Sequence, residues 1–135
     1  MKIALPIFVA FALAVAGSAL ATRNNATITI RHQTHGCHSW SLNGKTWAPS
    51  QALTIVRGGV LTVVDNDVMS HKLIQLSGPK ATVAGALMKH MSATAHVGFP
   101  AKGTYVFTTK VGEDYMKGIK TTGEDNVLKL VVKVT

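Results

Sequence analysis

Metal-ligating side chains crowd into one short segment near the start of the chain. Residues 32–40, HQTHGCHSW, contain three of the six histidines and the only cysteine. Imidazole and thiolate are ligands that copper, zinc and iron take in proteins. A single cysteine forms no internal disulfide, so in an oxidising compartment its thiol needs another explanation. The segment therefore predicts a metal site, and the alternative is a buried free cysteine beside exposed histidines.

The spacing within this segment leaves the choice of histidine ligands open. In an extended strand, His35 and Cys37 would share one face while His38 points to the other. In a loop, any of the histidines can turn inward. We therefore take Cys37, His35 and His38 as candidate ligands, with His32 as a further alternative that could still belong to a strand.

Residues 1–21 have the composition of a secretory signal peptide. Lys2 precedes an apolar stretch, and Ala19-Leu20-Ala21 is a small-x-small cleavage site. The apolar stretch is too short for a good membrane span, so no stable membrane insertion is expected after cleavage. We expect a periplasmic or secreted protein whose mature part is a single domain, residues 22–135.

Basic residues outnumber acidic ones in this domain. The chain has 14 Lys and Arg against 6 Asp and Glu, and loss of Lys2 leaves 13 against 6, a formal charge of +7. This surplus suits an acidic partner protein or an anionic surface. The basic residues are dispersed and are not interleaved with aromatic residues, so nucleic-acid binding is not expected. We expect a monomer.

Short alternating apolar segments, separated by turn residues, indicate an all-β domain. The strand-like segments are residues 26–31, 53–56, 60–64, 72–76, 94–99, 104–109 and 127–134. Their regular spacing predicts a β-sandwich. Arg57-Gly58-Gly59 is predicted to be a hairpin or tight corner, and Asp65-Asn66-Asp67 a turn. Only residues 81–91 could be helical, and Gly85 makes that segment a short helix or an irregular excursion.

Several of these segments resemble the cupredoxins, the small blue-copper sandwiches. Residues 53–67 and the following Ser70-His71 resemble the family's passage of strand, glycine corner, strand and turn before its first copper-ligating histidine. Residues 99–107, FPAKGTYVF, resemble its penultimate-strand signature, and residues 127–134 its final strand. The resemblance covers residues 53 to 135. It implies a cupredoxin-like Greek-key β-sandwich with copper as cofactor and His71 as a ligand.

The chain departs from the cupredoxin pattern in the ligand loop. In that family a Cys ends the strand after Tyr-x-Phe, followed by a His and usually a Met, whereas here Thr108-Thr109 follows Phe107. Met116 is the remaining candidate ligand in this loop, and the resemblance implies an axial role for it. In this topology the connection after the first strand lies at the same end as the His71 loop. Cys37 is therefore expected to replace the missing thiolate.

These observations predict an exported copper-binding protein with a rearranged mononuclear site. Its candidate ligands are Cys37, His71, His35, His38 and Met116. Electron transfer is the leading hypothesis, because a rigid β-sandwich with one thiolate and about two imidazoles suits a copper redox centre. The basic surface would then dock a redox partner protein that is acidic.

Other functions remain open. Met88, His90 and Met91 could form a second cluster of soft ligands, which would suit a copper chaperone or buffer. A metal-free domain that binds a partner protein is another alternative, and zinc could replace copper. We do not expect an enzyme, because no oxyanion site or substrate cleft accompanies Cys37 and its neighbouring histidines. His96 lies in a predicted strand and is expected to be structural.

Overall fold

The computed structural model describes residues 22–135, and the predicted signal peptide lies outside this range. The described part of the chain contains nine strands and no helix, so it offers none that could span a membrane. The strands are β1 (Thr22–Gln33), β2 (Cys37–Ser41), β3 (Ser50–Asn66), β4 (Met69–Ser77), β5 (Thr82–Ala84), β6 (Leu87–Met88), β7 (Ala93–Gly98), β8 (Gly103–Asp114) and β9 (Lys129–Val134). The all-β prediction is confirmed.

The long strand β3 joins the two layers of the sandwich. Its first half, from Ser50 to Ile55, runs parallel to β9, and its second half pairs with β1 and β7. Between these halves the chain bends at the predicted glycine corner, where Gly58 has φ +82°. One layer therefore has the order β2-β1-β3-β7-β5, and the other has the order β3-β9-β8-β4-β6.

The core lies between the two layers and follows the period-two alternation of the strands. Leu130 and Val132 of β9 are fully buried, as the sequence predicts, while Lys129 and Lys133 face water. Phe99 packs edge-to-face on Tyr105, with ring centroids 5.0 Å apart. The Tyr105 hydroxyl donates to Ala101 O at 2.6 Å, which satisfies the one polar atom of this buried ring.

Residues 81–91 form an irregular excursion with two short strands, β5 and β6, and not a helix. Gly85 adopts φ +70° between them and reverses the chain direction. Strand β6 pairs antiparallel with β4 and places Met88 directly opposite His71. The excursion thus covers the edge of the layer that carries His71.

Three connections meet at one end of the sandwich. The β1–β2 turn, residues 34–36, is held against the long β8–β9 loop, because the Thr122 amide donates to Thr34 O at 2.8 Å and the Gly36 amide donates to Thr122 O at 3.1 Å. The third is the short β3–β4 connection, Asp67 and Val68, whose two residues are buried. The polar residues of the candidate site come from these three connections and from the strands beside them.

Candidate metal centre

The β1–β2 turn fixes the position of Cys37. Gly36 has φ +77° and Cys37 has φ +65°, a backbone conformation that few non-glycine residues adopt. The His38 amide donates to Gly36 O at 2.8 Å across Cys37, which closes a γ-turn around the cysteine. Such strain concentrates at functional sites. The turn holds the thiol of Cys37 and the ring of His38 in the buried interior.

The β3–β4 connection supplies a second set of polar side chains. Asp65, Asp67 and His71 are all buried, and Met69 is half-buried. Asp65 Oδ1 accepts a hydrogen bond from the Asp67 amide at 2.9 Å, and Asp67 Oδ1 accepts one from the Met69 amide at 3.1 Å. Burial raises the pKa of Asp65 to about 6. These bonds brace the short connection at the predicted turn, which follows the end of β3 at Asn66.

Asp67 lies at the centre of three histidine rings. His71 Nε2 donates to Asp67 Oδ2 at 3.0 Å, while His38 Nδ1 lies 3.3 Å from Oδ2 and His32 Nδ1 lies 3.4 Å from Oδ1. The last two contacts are within ion-pair distance but are not aligned as hydrogen bonds. Burial alone would raise the pKa of the Asp67 carboxyl, but the His38 and His71 rings and the Met69 amide hold it below its ordinary range. Asp67 is therefore an anion in the protein interior.

His71 is held from both sides of its ring. Because the ionised Asp67 only accepts hydrogen bonds, His71 Nε2 carries a proton, and Nδ1 lies 2.9 Å from Thr109 Oγ1. Thr109 occupies the position in β8 where the cupredoxin resemblance places the usual thiolate. A hydroxyl thus contacts His71 where the family pattern expects a cysteine. A cation that binds a ring nitrogen of His71 would have to displace either the contact with Thr109 or the bond to Asp67.

The buried ring nitrogens of His38 and His32 form no hydrogen bond, although Nδ1 of each ring lies near the Asp67 carboxylate. Both nitrogens of each ring are inaccessible to water and form no hydrogen bond. His38 is 1% exposed. Leaving a buried polar atom unpaired costs about 1–3 kcal/mol, so such atoms call for an explanation. An imidazole in this condition is suited to bind a metal ion, because the ion replaces the missing partner.

The thiol of Cys37 lies beside a thioether and a carboxylate. Cys37 Sγ donates to Met69 Sδ at 3.1 Å. Burial raises the pKa of Cys37 to about 11, with smaller contributions from the negative charges of Asp125 and Asp67. The thiol is protonated at neutral pH, and a soft cation that binds the sulfur must therefore displace its proton.

Two overlapping triads result from this arrangement. In the deep triad, ligand atoms of His38, Asp67 and His71 all lie within 4.8 Å of one another, and in the outer triad the same holds for Cys37, His38 and Asp125. His38 belongs to both. Together they offer thiolate, imidazole and carboxylate donors, a set that suits copper or zinc. The residues present thus fit a metal ion, which would supply redox chemistry if it were copper.

The predicted ligands occupy different environments. Cys37, His38 and His71 are buried and belong to the two triads. His35 is exposed, and its Nδ1 lies 2.8 Å from Thr122 Oγ1, so it joins the turn to the β8–β9 loop. Met116 is 41% exposed in that loop. Its predicted axial role stays a prediction, while Met69 is the thioether in contact with Cys37.

The suggested second cluster is not assembled as one group. Met88 is fully buried in the hydrophobic core, whereas Met91 is exposed and His90 Nδ1 hydrogen-bonds to Met91 O at 2.8 Å. His96 is exposed on β7, where its Nδ1 lies 3.3 Å from Thr62 Oγ1. These contacts favour structural roles for these side chains.

Sequence reasoning missed Asp67, Met69 and Asp125. A signal for the first two was present, because Asp67, Met69 and His71 alternate as three potential ligands on one side of an extended segment. Asp125 gave no such signal. It reaches Cys37 only because the β8–β9 loop folds back over the β1–β2 turn.

Comparison with known proteins assigns no family to the chain. No protein-family model and no curated protein matches it. Among solved structures, the copper-containing nitrite reductase of Thermus scotoductus SA-01 is 18% identical over 91% of this chain, with a TM-score of 0.44. This chain spans 25% of that reductase. The copper protein rusticyanin is 13% identical with a TM-score of 0.43, over 84% of this chain and 81% of rusticyanin.

The solved structures that match the chain also include a protein with a different function. The cysteine protease inhibitor EhICP2 of Entamoeba histolytica is 9% identical over 82% of this chain and 97% of the inhibitor, with a TM-score of 0.40. Identities and TM-scores as low as these do not distinguish a copper protein from an inhibitor. The function is therefore inferred from the site residues of this chain.

Proposed function

We propose that this chain is an exported protein that binds one copper ion through Cys37, His38, Asp67 and His71 and transfers electrons. The observation that carries the proposal is His38, whose two buried ring nitrogens form no hydrogen bond, although Nδ1 lies 3.3 Å from Asp67 Oδ2. It stands between Cys37 on one side and the Asp67–His71 pair on the other. A bound cation would give this imidazole a partner and would balance the buried negative charge of Asp67.

The donor set supports copper. A thiolate with imidazoles suits both oxidation states of copper, and a nearby thioether suits Cu(I). Met69 lies next to the Cys37 sulfur and supplies such a thioether. Zinc accepts the same thiolate and imidazole ligands, so the metal is the first property to measure.

The enclosure of the site supports electron transfer over catalysis. Cys37, His38 and His71 are each at most 3% exposed, which leaves a substrate little access to a bound ion. An enclosed donor set on a rigid sandwich would also hold its geometry when the ion changes oxidation state. Delivery of copper is less well supported, because Met88 of the suggested soft-ligand cluster belongs to the core.

The test is metal analysis and visible spectroscopy of the purified protein, with two histidine variants. We expect about one copper ion per chain and a thiolate-to-copper absorption band. His38→Gln should lower copper affinity at least tenfold, because it removes the imidazole shared by both triads. His96→Gln is the matched control, since His96 is exposed on β7 and should leave the affinity unchanged.

Two results would contradict the proposal. A protein that takes up neither copper nor zinc would support a metal-free partner-binding domain. Equal copper affinities of the His38→Gln and His96→Gln proteins would show that the buried imidazole is not a ligand.

A further inference from the structure

The outer triad differs from the deep triad in its access to solvent. Asp67 and His71 of the deep triad are both 0% exposed, whereas Asp125 of the outer triad is exposed. A hydrated cation from solution can therefore meet the Asp125 carboxylate first. His38 is the side chain that the two triads share, and neither of its buried ring nitrogens forms a hydrogen bond.

We infer, on the basis of the proposed function, that Asp125, Cys37 and His38 form a capture site through which the metal ion reaches the deep triad. Asp125 would act during loading, and the permanent ligands would be the buried residues. The ligand class is a thiophilic divalent cation such as Cu²⁺, Zn²⁺ or Co²⁺, because the triad joins a carboxylate to a thiol and an imidazole.

Asp125 is held over Cys37 by the residue that follows it. The Asn126 amide donates to Gly36 O at 2.7 Å, and Asn126 Nδ2 donates to His38 O at 3.0 Å. These two bonds fasten the β8–β9 loop to both neighbours of Cys37. The carboxylate next to Asn126 is therefore positioned by the fold, although its side chain is exposed.

The negative charge of Asp125 on a basic domain supports its role in capturing the cation. The domain has a formal charge of +7, so its mean field repels cations, and a carboxylate at the entrance would offset that repulsion. During loading the Cys37 thiol releases its proton to water, and the cation exchanges water ligands for the thiolate and the imidazole. No oxidant or reductant is needed for this exchange.

The experiment measures loading of the metal-free chain with Co²⁺, which does not oxidise thiols. The thiolate-to-cobalt absorption is followed by stopped flow at low ionic strength in the wild type and in Asp125→Asn. Glu124→Gln is the matched control, because it removes the same charge from the adjacent exposed position. We expect Asp125→Asn to load about tenfold more slowly, within the range of electrostatic effects on association rates. Glu124→Gln should load at the wild-type rate, and all three proteins should reach the same final spectrum and stoichiometry.

The outcomes separate this inference from the proposed function. Equal loading rates of Asp125→Asn and Glu124→Gln would overturn the capture role and leave copper binding intact. A changed final spectrum in Asp125→Asn would also overturn it, because Asp125 would then be a permanent ligand. If the wild-type chain takes up no Co²⁺, the inference of a capture site is wrong. If it also takes up no copper, the proposed function fails as well.

Discussion

At the scale of single residues, the buried carboxylate of Asp67 adds a negative charge to the candidate metal site. A buried carboxylate between His38 and His71 can either orient the imidazoles or bind the ion itself. In both roles it keeps a negative charge beside the ion, and that charge favours the more positive oxidation state. A protein with this arrangement should hold Cu(II) more strongly than one with a neutral side chain at position 67.

The thioether beside the thiol gives a prediction at the same scale. Met69→Leu should keep copper bound and shift the redox potential, because its sulfur contacts Cys37 Sγ at 3.1 Å. Met116→Leu is the matched comparison, since Met116 was the axial ligand predicted from the sequence. Cyclic voltammetry of both copper-loaded variants measures the two shifts. A shift in redox potential confined to Met116→Leu would support the sequence prediction and would show that Met69 does not contribute to the site.

At the scale of structural elements, the β1–β2 turn and the β8–β9 loop act as one unit. The turn needs glycine at position 36 for two reasons. Its φ of +77° favours glycine, and the Asn126 side chain lies where the Cβ of any other residue would be placed. The loop in turn closes over Cys37 through Asn126. The stability of the loop and the integrity of the metal site should therefore be coupled.

Gly36→Ala tests this coupling. Gly44→Ala is the control, because Gly44 has a similar φ of +71° but open space around its Cβ position. Each substitution should cost roughly 1–2 kcal/mol of backbone strain. Gly36→Ala should cost more and should also weaken copper binding, because it displaces Asn126 from Gly36 and His38. Urea unfolding and copper titration of both variants measure the difference, and equal effects would show that the loop is not coupled to the site.

At the scale of the whole molecule, the basic surplus includes an unusual pair next to the site. Lys72 and Lys110 lie directly opposite each other on β4 and β8, and both are exposed. Like charges in this position destabilise a sheet. Within residues 22–135 neither lysine forms an ion pair with a carboxylate. Because Lys72 follows His71 in β4, we propose this pair as the docking point for an acidic redox partner.

Electron transfer to a small anion tests the docking point. Lys72→Glu should slow oxidation of the reduced copper protein by hexacyanoferrate(III) severalfold at low ionic strength, and high salt should remove the difference. Lys133→Glu carries the same charge change. Its partner on β8 is Thr104, roughly 20 Å along the strand from Lys110, so its effect should be smaller. Equal slowing by both variants would indicate a response to net charge alone.

Alternating apolar residues predicted most of the strands and the buried side chains of the final strand, but not the short strands β2, β5 and β6. Alternation at residues 127–134 predicts which side chains face the core, because a strand places successive side chains on opposite faces. The residue types also indicated a metal site, with Cys37, His71, His35, His38 and Met116 as candidate ligands, but they did not decide between His35 and His38. The excursion at residues 81–91 was ambiguous, because short apolar runs do not distinguish helix from strand.

Which of these groups come into contact depends on the tertiary fold. The packing of β2 against the β3–β4 connection brings His38 next to Asp67, and the pairing of β4 with β8 brings His71 next to Thr109, across 29 and 38 positions of sequence. The β8–β9 loop brings Asp125 to Cys37 from a still more distant part of the chain. His35 stays exposed on the β1–β2 turn. Local patterns carry no information on these contacts, because strand pairing and loop closure depend on the packing of the whole domain.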